Sequence, residues 1–246
     1  MIGVRAVDGL PEIEAGARLG RLLADAARPL ASEVVVVSQK VVSKAEGRTR
    51  LLAQVEPSAR ALELADALGK DARIIELVLG ESSEVLRAER GVLITRTHAG
   101  LVCANAGIDA SNAPEPDSVI LLPEDCDASA RRLRLEIKAA CGERPGVIVA
   151  DSFGRAWRLG QADVAIGCAG IVALDDWRGR SDRAGRELAA TAIAAADELA
   201  AAASLARDKT SGEPAAVISG CERFITATDG PGAAALVRPV DEDLFG

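Results

Sequence analysis

Two aspartates of the chain stand where an apolar stretch gives way to small and polar residues. Asp109 lies in the segment GLVCANAGIDASN and Asp151 in PGVIVADSFGR. Each is followed by a neutral residue whose oxygen could ligate a metal ion, Asn112 after Asp109 and Ser152 after Asp151. Hard divalent cations such as Mg²⁺ and Mn²⁺ are held by one or two carboxylates together with hydroxyls, waters and phosphates. The pattern favours a metal site. The alternative of ordinary turn or cap residues stays open, because aspartate and asparagine are common in turns.

A second group of polar residues is suited to contact an anion. The segment SQKVVSKAEGR, residues 38–48, follows four consecutive valines, and we expect Lys40 and Lys44 to share one face of a continuing strand. Lys44 together with Gln39 could reach a phosphate or a nucleotide, because an ammonium group is a compact point charge. The alternative is that these lysines are simply solvated at a strand end.

Four arginines and one Cys-His pair are further candidates for a functional site. The arginines are partners for a carboxylate or phosphate, with an ordinary surface position as the alternative; they are Arg155, Arg158, Arg178 and Arg180. His98 and Cys103 lie five residues apart, but no third orienting group accompanies them and the cysteine stands in an apolar run. We therefore interpret Cys103 as a packing residue and not as a nucleophile.

The elements that must position these residues alternate between strands and helices. Strands are expected at IGVRAV, EVVVV, two stretches within residues 85–107, DSVILLP, PGVIVA, AAVISG and ALVRPV. Helices are expected over residues 14–30, over 56–82 with Ser58 as cap and Gly69 as break, over 127–142 ending at Gly142, and over the alanine-rich residues 187–206. Polar segments follow the strands, at the strand ends where α/β proteins bind ligands.

Composition sets the class of protein. The chain has 246 residues, of which 49% are hydrophobic and 27% charged, and we expect one mixed α/β unit with a small lobe inserted near 60–90 or 155–185. The net charge of −8 argues against binding to nucleic acid or an anionic membrane. Five separated cysteines, without a C-x-x-C pair, indicate neither zinc nor disulfides. Without a signal peptide or a long apolar run, a cytoplasmic protein is expected.

Six motifs in order resemble the coenzyme F-420-0:L-glutamate ligases, also called F420:γ-glutamyl ligases. They are GLPEI, VVVVSQKVVSKAEGR, GLVCANAGIDASN, ADSFGRAWRLGQADVAIGCAGI, DWRGRSDRAGRELAATAIAAADELAAAASL and the late P-x-x-V-I-x-G at Pro214–Gly220. The similarity covers nearly the whole chain. It resembles the stand-alone form of the family, in which no flavin-binding, nitroreductase-like domain follows.

The resemblance implies a family-specific α+β ligase fold and an intertwined homodimer. It implies a GTP-dependent enzyme that adds one or more L-glutamates, γ-linked, to coenzyme F-420-0 through an acyl phosphate, releasing GDP and phosphate. It also implies Mg²⁺ or Mn²⁺, two ions in all, and a monovalent cation such as K⁺. The alternative function is a metal-dependent protein of the same fold that binds or hydrolyses nucleotides.

The resemblance also carries roles onto single positions. It places nucleotide contacts at Leu10, Pro11, Glu12, Ile13, Gln39, Lys44 and Asn112, and metal ligands at Asp109, Asp151 and Ser152. Asp109, Asp151 and Lys44 become the catalytic set. A further nucleotide contact is expected within residues 207–214, where RDKTSGEP matches the family only loosely.

Overall fold

The computed structural model describes residues 1–111, 113–207 and 212–243, and the α+β class predicted from the sequence is confirmed. Its strands are β1 (Gly3–Ala6), β2 (Val34–Ser38), β3 (Thr49–Leu51), β4 (Ser82–Glu89), β5 (Val92–Thr97), β6 (Val102–Ala104), β7 (Ser118–Ile120), β8 (Gly146–Arg155), β9 (Arg158–Ala169), β10 (Asp175–Asp176), β11 (Ala192–Ile193) and β12 (Ala215–Ser219). Its helices are α1 (Leu19–Ala27), α2 (Gln39–Ala45), α3 (Ala59–Leu68), α4 (Ala72–Gly80), α5 (Cys126–Cys141) and α6 (Ala195–Ala206). No helix within these ranges is long and apolar enough to cross a membrane.

A five-stranded sheet in the order β1-β12-β2-β8-β9 forms the centre of the fold. Strands β2 and β8 pair in parallel, whereas the other neighbours in this sheet pair antiparallel. Helices α1 and α5 pack on one face and α6 packs on the other. The result is a three-layer arrangement with the sheet in the middle.

The four valines of β2 show why this strand lies at the centre. Val35 and Val37 contribute to the apolar cluster under α1 and α5, while Val34 and Val36 contribute to the cluster under α6. All four are fully buried, and burial of each side chain contributes about 1.5–3 kcal/mol. Successive side chains of a strand point to opposite faces, so only a strand covered on both sides can be continuously apolar. This expectation is confirmed.

The segment after Ser38 is a helix and not the expected continuation of the strand. Helix α2 (Gln39–Ala45) starts where β2 ends, so the placement of Lys40 and Lys44 on one face of a strand is wrong. Val42 is buried in the α1 and α5 cluster and Ala45, one turn on, packs against it. A short apolar run fits both the helical and the strand periodicity, so the sequence alone does not distinguish a helix from a strand here. The two lysines instead lie one helical turn apart.

The alanine-rich helix begins later than the sequence indicates. Residues 187–194 were expected to be helical, but α6 starts at Ala195. Their backbone groups bond to the charged loop instead, because Trp177 N donates to Thr191 O at 2.9 Å and β11 pairs with β10. The final expected strand at 235–240 is also wrong, since Ala233–Leu236 forms a 3-10 turn.

Residues 59–106 build a third apolar cluster, which lies away from the central sheet. Helices α3 and α4 pack there against the antiparallel sheet β4-β5-β6. The predicted cap and break are confirmed: Ser58 Oγ accepts a hydrogen bond from Ala61 N at 3.3 Å, and Gly69 ends α3 with φ +64°. This cluster leads directly into the segment that carries Asp109.

A buried arginine ties α5 to the C-terminal segment. The Arg134 side chain is 1% exposed, and its guanidinium donates to the carbonyl oxygens of Pro145, Thr226 and Thr228 and to the carboxylate of Asp229. These guanidinium N–H groups therefore have hydrogen-bond acceptors although the side chain is buried away from bulk water. Such a charge is tolerated only because it is fully hydrogen-bonded.

Replacement of this arginine should therefore lower stability strongly. We expect Arg134→Met to reduce the free energy of unfolding by about 3–5 kcal/mol, because Asp229 and three carbonyls lose their buried donor. Lys138→Met is the matched control, since Lys138 lies on the exposed side of the same helix. Urea unfolding followed by circular dichroism measures both; equal, small effects in the two variants would contradict this account of Arg134.

Candidate active site

The parallel pairing of β2 with β8 brings two predicted site segments to one edge of the sheet. Ser38, the last residue of β2, is in register with Ala150 of β8. Gln39 and Lys40 therefore follow β2 at the same level at which Asp151 follows Ala150. Strand β8 continues to Arg155, so Asp151 lies within β8 and beside the carboxyl end of β2. Ligands of α/β proteins bind at the carboxyl ends of parallel strands.

Asp109 reaches this edge from a separate segment, between β6 and β7. Its backbone pairs with Ile120, and its Oδ2 lies 2.7 Å from Lys40 Nζ. Its Oδ1 accepts a hydrogen bond from Ser111 N at 2.6 Å, and Lys40 Nζ also donates to Ser111 Oγ at 3.0 Å. Burial opposes the ionisation of Asp109, but these hydrogen bonds hold the pKa of its carboxyl below the ordinary value. Asp109 is thus both a turn residue and an anion held by a lysine that the sequence did not assign to it.

A turn of left-handed residues aims Asp109 at the site. Asn105, Ala106 and Gly107 have φ angles of +52°, +51° and +71°. Asn105, for which the sequence suggested no role, accepts a hydrogen bond from Lys70 Nζ at 2.8 Å. A Cβ on Gly107 would lie 2.7 Å from the Leu122 side chain. Left-handed backbone is unfavourable for residues with a side chain, so tertiary packing holds the turn in place.

Asp151 is surrounded by other charges. The pKa of its carboxyl is raised to about 6, chiefly by burial and to a smaller extent by repulsion from Asp109 and Asp163. The Ser152 N–H and the Lys40 charge act in the opposite direction. Asp109 and Asp163 therefore both lie near enough to repel Asp151, and a cation beside Asp151 would relieve that repulsion.

The donor set fits a hard divalent cation whose coordination shell is completed by other molecules. Within the described ranges, no group of three or more His, Cys, Asp or Glu side chains is arranged to hold a metal alone. Asp109 and Asp151 offer two carboxylates, and Ser152 offers a hydroxyl. Magnesium sites that include one or two carboxylates usually take their remaining ligands from water and nucleotide phosphates.

Ser152 belongs to a hydrogen-bonded group that the sequence did not reveal. Its Oγ donates to Asp163 Oδ1 at 2.6 Å, across the register pair Ser152 and Asp163 of β8 and β9. Asp163 also forms an ion pair with Arg207, and each of these two side chains is 10% exposed. Asp163 lies in the stretch GQADVAIG, in which no site residue was predicted from the sequence. Arg207 opens the loosely matched segment, whose residues 208–211 lie outside the described residues.

The predicted nucleotide contacts gather around α2. Lys44 Nζ lies 2.6 Å from Glu12 Oε1, which joins α2 to the GLPEI turn. Gln39 is fully buried; its Oε1 accepts from Ser43 Oγ at 2.9 Å, while its Nε2 has no hydrogen-bond partner among the described residues. A buried donor without an acceptor is costly, and an oxygen of a bound ligand would satisfy it.

The GLPEI turn divides its residues between core and surface. Ile13 is buried in the α1 and α5 cluster and Leu10 packs partly against it, whereas Pro11 and Glu12 are exposed. Ile13 can therefore meet a ligand only through its backbone. Asn112, predicted to contact the nucleotide, lies outside the described residues.

Three of the four candidate arginines contact groups outside the site. Arg155 Nη2 donates to Leu159 O at 2.7 Å within its own hairpin, Arg178 pairs with Asp176 at 2.6 Å, and Arg180 lies over the Trp177 ring at 4.9 Å. Arg158 is exposed.

The Cys-His pair has no geometry for nucleophilic catalysis. Cys103 is buried and burial raises the pKa of its thiol to about 12, whereas the exposed His98 contacts Gly80 O at 3.1 Å. Only a thiolate is a strong nucleophile. The interpretation of Cys103 as a packing residue agrees with this environment.

Comparison with known proteins shows extensive similarity. A sequence profile described as F420-0:Gamma-glutamyl ligase matches residues 9–220. The coenzyme F420:L-glutamate ligase of Methanopyrus kandleri is 41% identical over 236 residues, 95% of this chain and 93% of that protein. The enzyme of the same name from Haloarcula marismortui is 43% identical over 248 residues, 98% and 94% of the two chains. That from Archaeoglobus fulgidus is 44% identical over 220 residues, 89% and 88%.

The geometry of the left-handed turn generates a prediction. In Gly107→Ala, the new methyl group meets Leu122 in addition to the strain of the left-handed backbone, so we expect a loss of about 2–4 kcal/mol in unfolding free energy. Because Asp109 follows this turn, activity should fall as well. The control is Gly142→Ala, where φ is +84° and nothing lies within 4 Å of the added Cβ; it should cost about 1 kcal/mol and keep activity. Thermal melts and activity assays that fail to separate the two variants would contradict the prediction.

Proposed function

The chain belongs to the F420-0:gamma-glutamyl ligase family, and on that premise we propose that this ligase joins L-glutamate to coenzyme F420-0 at the expense of GTP. The matched range, residues 9–220, includes every side chain of the site described above. The observation that carries the proposal is the convergence of Asp109, Lys40 and Asp151 from three separate segments at one edge of the central sheet.

The chemistry of amide formation explains why such a site suits a ligase. A carboxylate does not react with an amine in water without activation. In the proposed reaction, an acceptor carboxylate oxygen attacks the γ-phosphorus of GTP and GDP leaves, which gives an acyl phosphate. The amine of L-glutamate then attacks the acyl carbon, loses a proton and expels phosphate. The two half-reactions need charge neutralisation and alignment of reactants, and they need no protein nucleophile.

The residues of the site match these needs. All reactants are anions and the protein carries a net charge of −8, so positive charge must be supplied locally. Asp109, Asp151 and Ser152 would hold divalent cations, two Mg²⁺ or Mn²⁺ ions in our proposal, which when bound neutralise the phosphates. Lys40 lies against Asp109, where it can exchange the carboxylate for a phosphate oxygen.

Helix α2 supplies the remaining nucleotide contacts in this proposal. Lys44 exchanges Glu12 for a phosphate oxygen, and the buried Gln39 amide donates to the nucleotide. Glu12 is largely exposed while Lys44 is not. Breaking this ion pair therefore costs little free energy for the Glu12 carboxylate. Water can solvate the glutamate, and the phosphate takes its place at the lysine.

The proposal extends to assembly and partners. We propose a homodimer, small-molecule substrates only and a monovalent cation such as K⁺ as a further cofactor. The net charge supports the absence of nucleic acid among the partners, since nucleic-acid binding depends on a cationic surface.

Incubation of the protein with F420-0, L-glutamate, GTP and Mn²⁺ or Mg²⁺ tests the activity directly. Mass spectrometry should show products heavier by one or more glutamate residues, with one GDP released for each glutamate added. A matched reaction without L-glutamate controls for simple nucleotide hydrolysis. Release of phosphate without any glutamylated product would favour the nucleotide-hydrolysing alternative and reject the proposal.

Replacement of either metal-site aspartate should abolish turnover without unfolding the protein. Asp109→Asn and Asp151→Asn keep side-chain volume but remove an anionic ligand, so we expect ligation rates to fall by about 100-fold or more. Asp182→Asn, a change in an exposed loop ion pair, is the control and should retain full rate. Near-normal rates in Asp109→Asn or Asp151→Asn, with melting temperatures unchanged, would remove that aspartate from the site.

A further inference from the structure

Asp163 is a buried carboxylate to which neither the sequence-based prediction nor the proposed reaction assigns a role. It is 8% exposed and stands on β9, directly opposite Ser152 of β8. Its two oxygens are divided between two partners: Oδ1 accepts from Ser152 Oγ at 2.6 Å, and Oδ2 pairs with Arg207 Nη2. A buried carboxylate is costly unless both oxygens are satisfied, and here both are.

Arg207 connects this carboxylate to the end of β2. Its Nη1 donates to Pro214 O at 3.2 Å, and the same carbonyl accepts from Ser38 N at 2.7 Å. Ser38 directly precedes the Gln39 amide and Lys40. One hydrogen-bonded chain therefore runs from Ser152 through Asp163, Arg207 and the Pro214 carbonyl to Ser38, the residue that directly precedes α2.

The direction of the hydrogen bond between Ser152 and Asp163 fixes the serine hydroxyl. An ionised carboxylate only accepts, so the serine must donate its single proton to Asp163. The lone pairs of Oγ then point away from Asp163. A hydroxyl that ligates a cation must present a lone pair, and groups behind the ligand commonly enforce such an orientation.

We infer that Asp163, held by Arg207, is a positioning residue that turns the Ser152 hydroxyl so that its oxygen can ligate a divalent cation. The inference rests on the proposed function, since it concerns the same metal site. It adds to that site one carboxylate that does not touch the cation and one arginine that fixes the carboxylate.

Asparagine at position 163 tests the role because it reverses one hydrogen bond at constant volume. Arg207 can only donate, so it retains the oxygen of the new amide. The amide NH₂ then faces Ser152 and donates to Oγ, and the serine proton must turn away from residue 163. Asp163→Asn should therefore weaken Mn²⁺ binding about 10- to 100-fold, while the KM for L-glutamate stays unchanged.

The measurement is a titration of the full chain with Mn²⁺ in the presence of a non-hydrolysable GTP analogue, with free Mn²⁺ counted by electron paramagnetic resonance. Ser152→Ala should weaken Mn²⁺ binding to a similar extent. In the double variant, Asp163→Asn should add nothing to the loss caused by Ser152→Ala, because the carboxylate acts through that hydroxyl. Losses that add, or an Asp163→Asn variant that binds Mn²⁺ like the parent protein, would overturn the inference and leave the proposed function standing.

Two further variants separate positioning from stability. Asp229→Asn removes the carboxylate partner of another buried arginine, Arg134, and should lower the melting temperature without changing Mn²⁺ affinity. If Asp163→Asn does not fold, the pair Asp163→Ala with Arg207→Met removes the buried charge together with its partner and should show the same loss of Mn²⁺ affinity. Unchanged affinity in that pair, or in Ser152→Ala, rejects the inference. A parent protein that binds no Mn²⁺ rejects both the metal part of the proposed function and this inference.

Discussion

The parallel pairing of β2 with β8 is the constraint on which the rest of the site depends. Because Ser38 and Ala150 are in register, the start of α2, directly after β2, lies beside Asp151 of β8, which places Lys40 near Asp151. The pairing persists because both strands are buried on both faces, between α1 and α5 on one side and α6 on the other. A slip of register by one residue would turn every valine of β2 to the opposite layer. Core packing therefore fixes the position of the charges.

Charge balance is the second organising feature of the site. Asp109 is held by Lys40 and Asp163 by Arg207, whereas no lysine or arginine of the described residues forms an ion pair with Asp151. Burial raises the pKa of the Asp151 carboxyl, so this position gains most from an added cation. In a protein of net charge −8, such local pairing allows anionic substrates to approach. In the proposed reaction, a nucleotide phosphate would replace the carboxylate partner of Lys40 and of Lys44.

The sequence predicted those parts of the fold in which local signals and tertiary packing agree. The valine strand β2, the cap at Ser58 and the end of α5 at Gly142 follow from periodicity and capping. The sequence did not predict helix α2, because two valines beside a valine strand fit both the helical and the strand periodicity. It placed the start of α6 too early, because backbone groups of residues 187–193 form hydrogen bonds with the charged loop. Contacts between distant segments, such as Lys40 with Asp109, carry no local signal at all.

We propose that Asp109 and Asp151, carried to one edge by separate segments, share a nucleotide-bound divalent cation. A crystal structure with Mn²⁺ and a non-hydrolysable GTP analogue, measured at a wavelength where manganese scatters anomalously, tests it most directly. We expect an anomalous peak about 2.0–2.3 Å from carboxylate oxygens of both aspartates, with Lys40 moved from Asp109 to a phosphate. A peak that contacts neither aspartate, or nucleotide bound elsewhere with the pair of Lys40 and Asp109 unchanged, would contradict it.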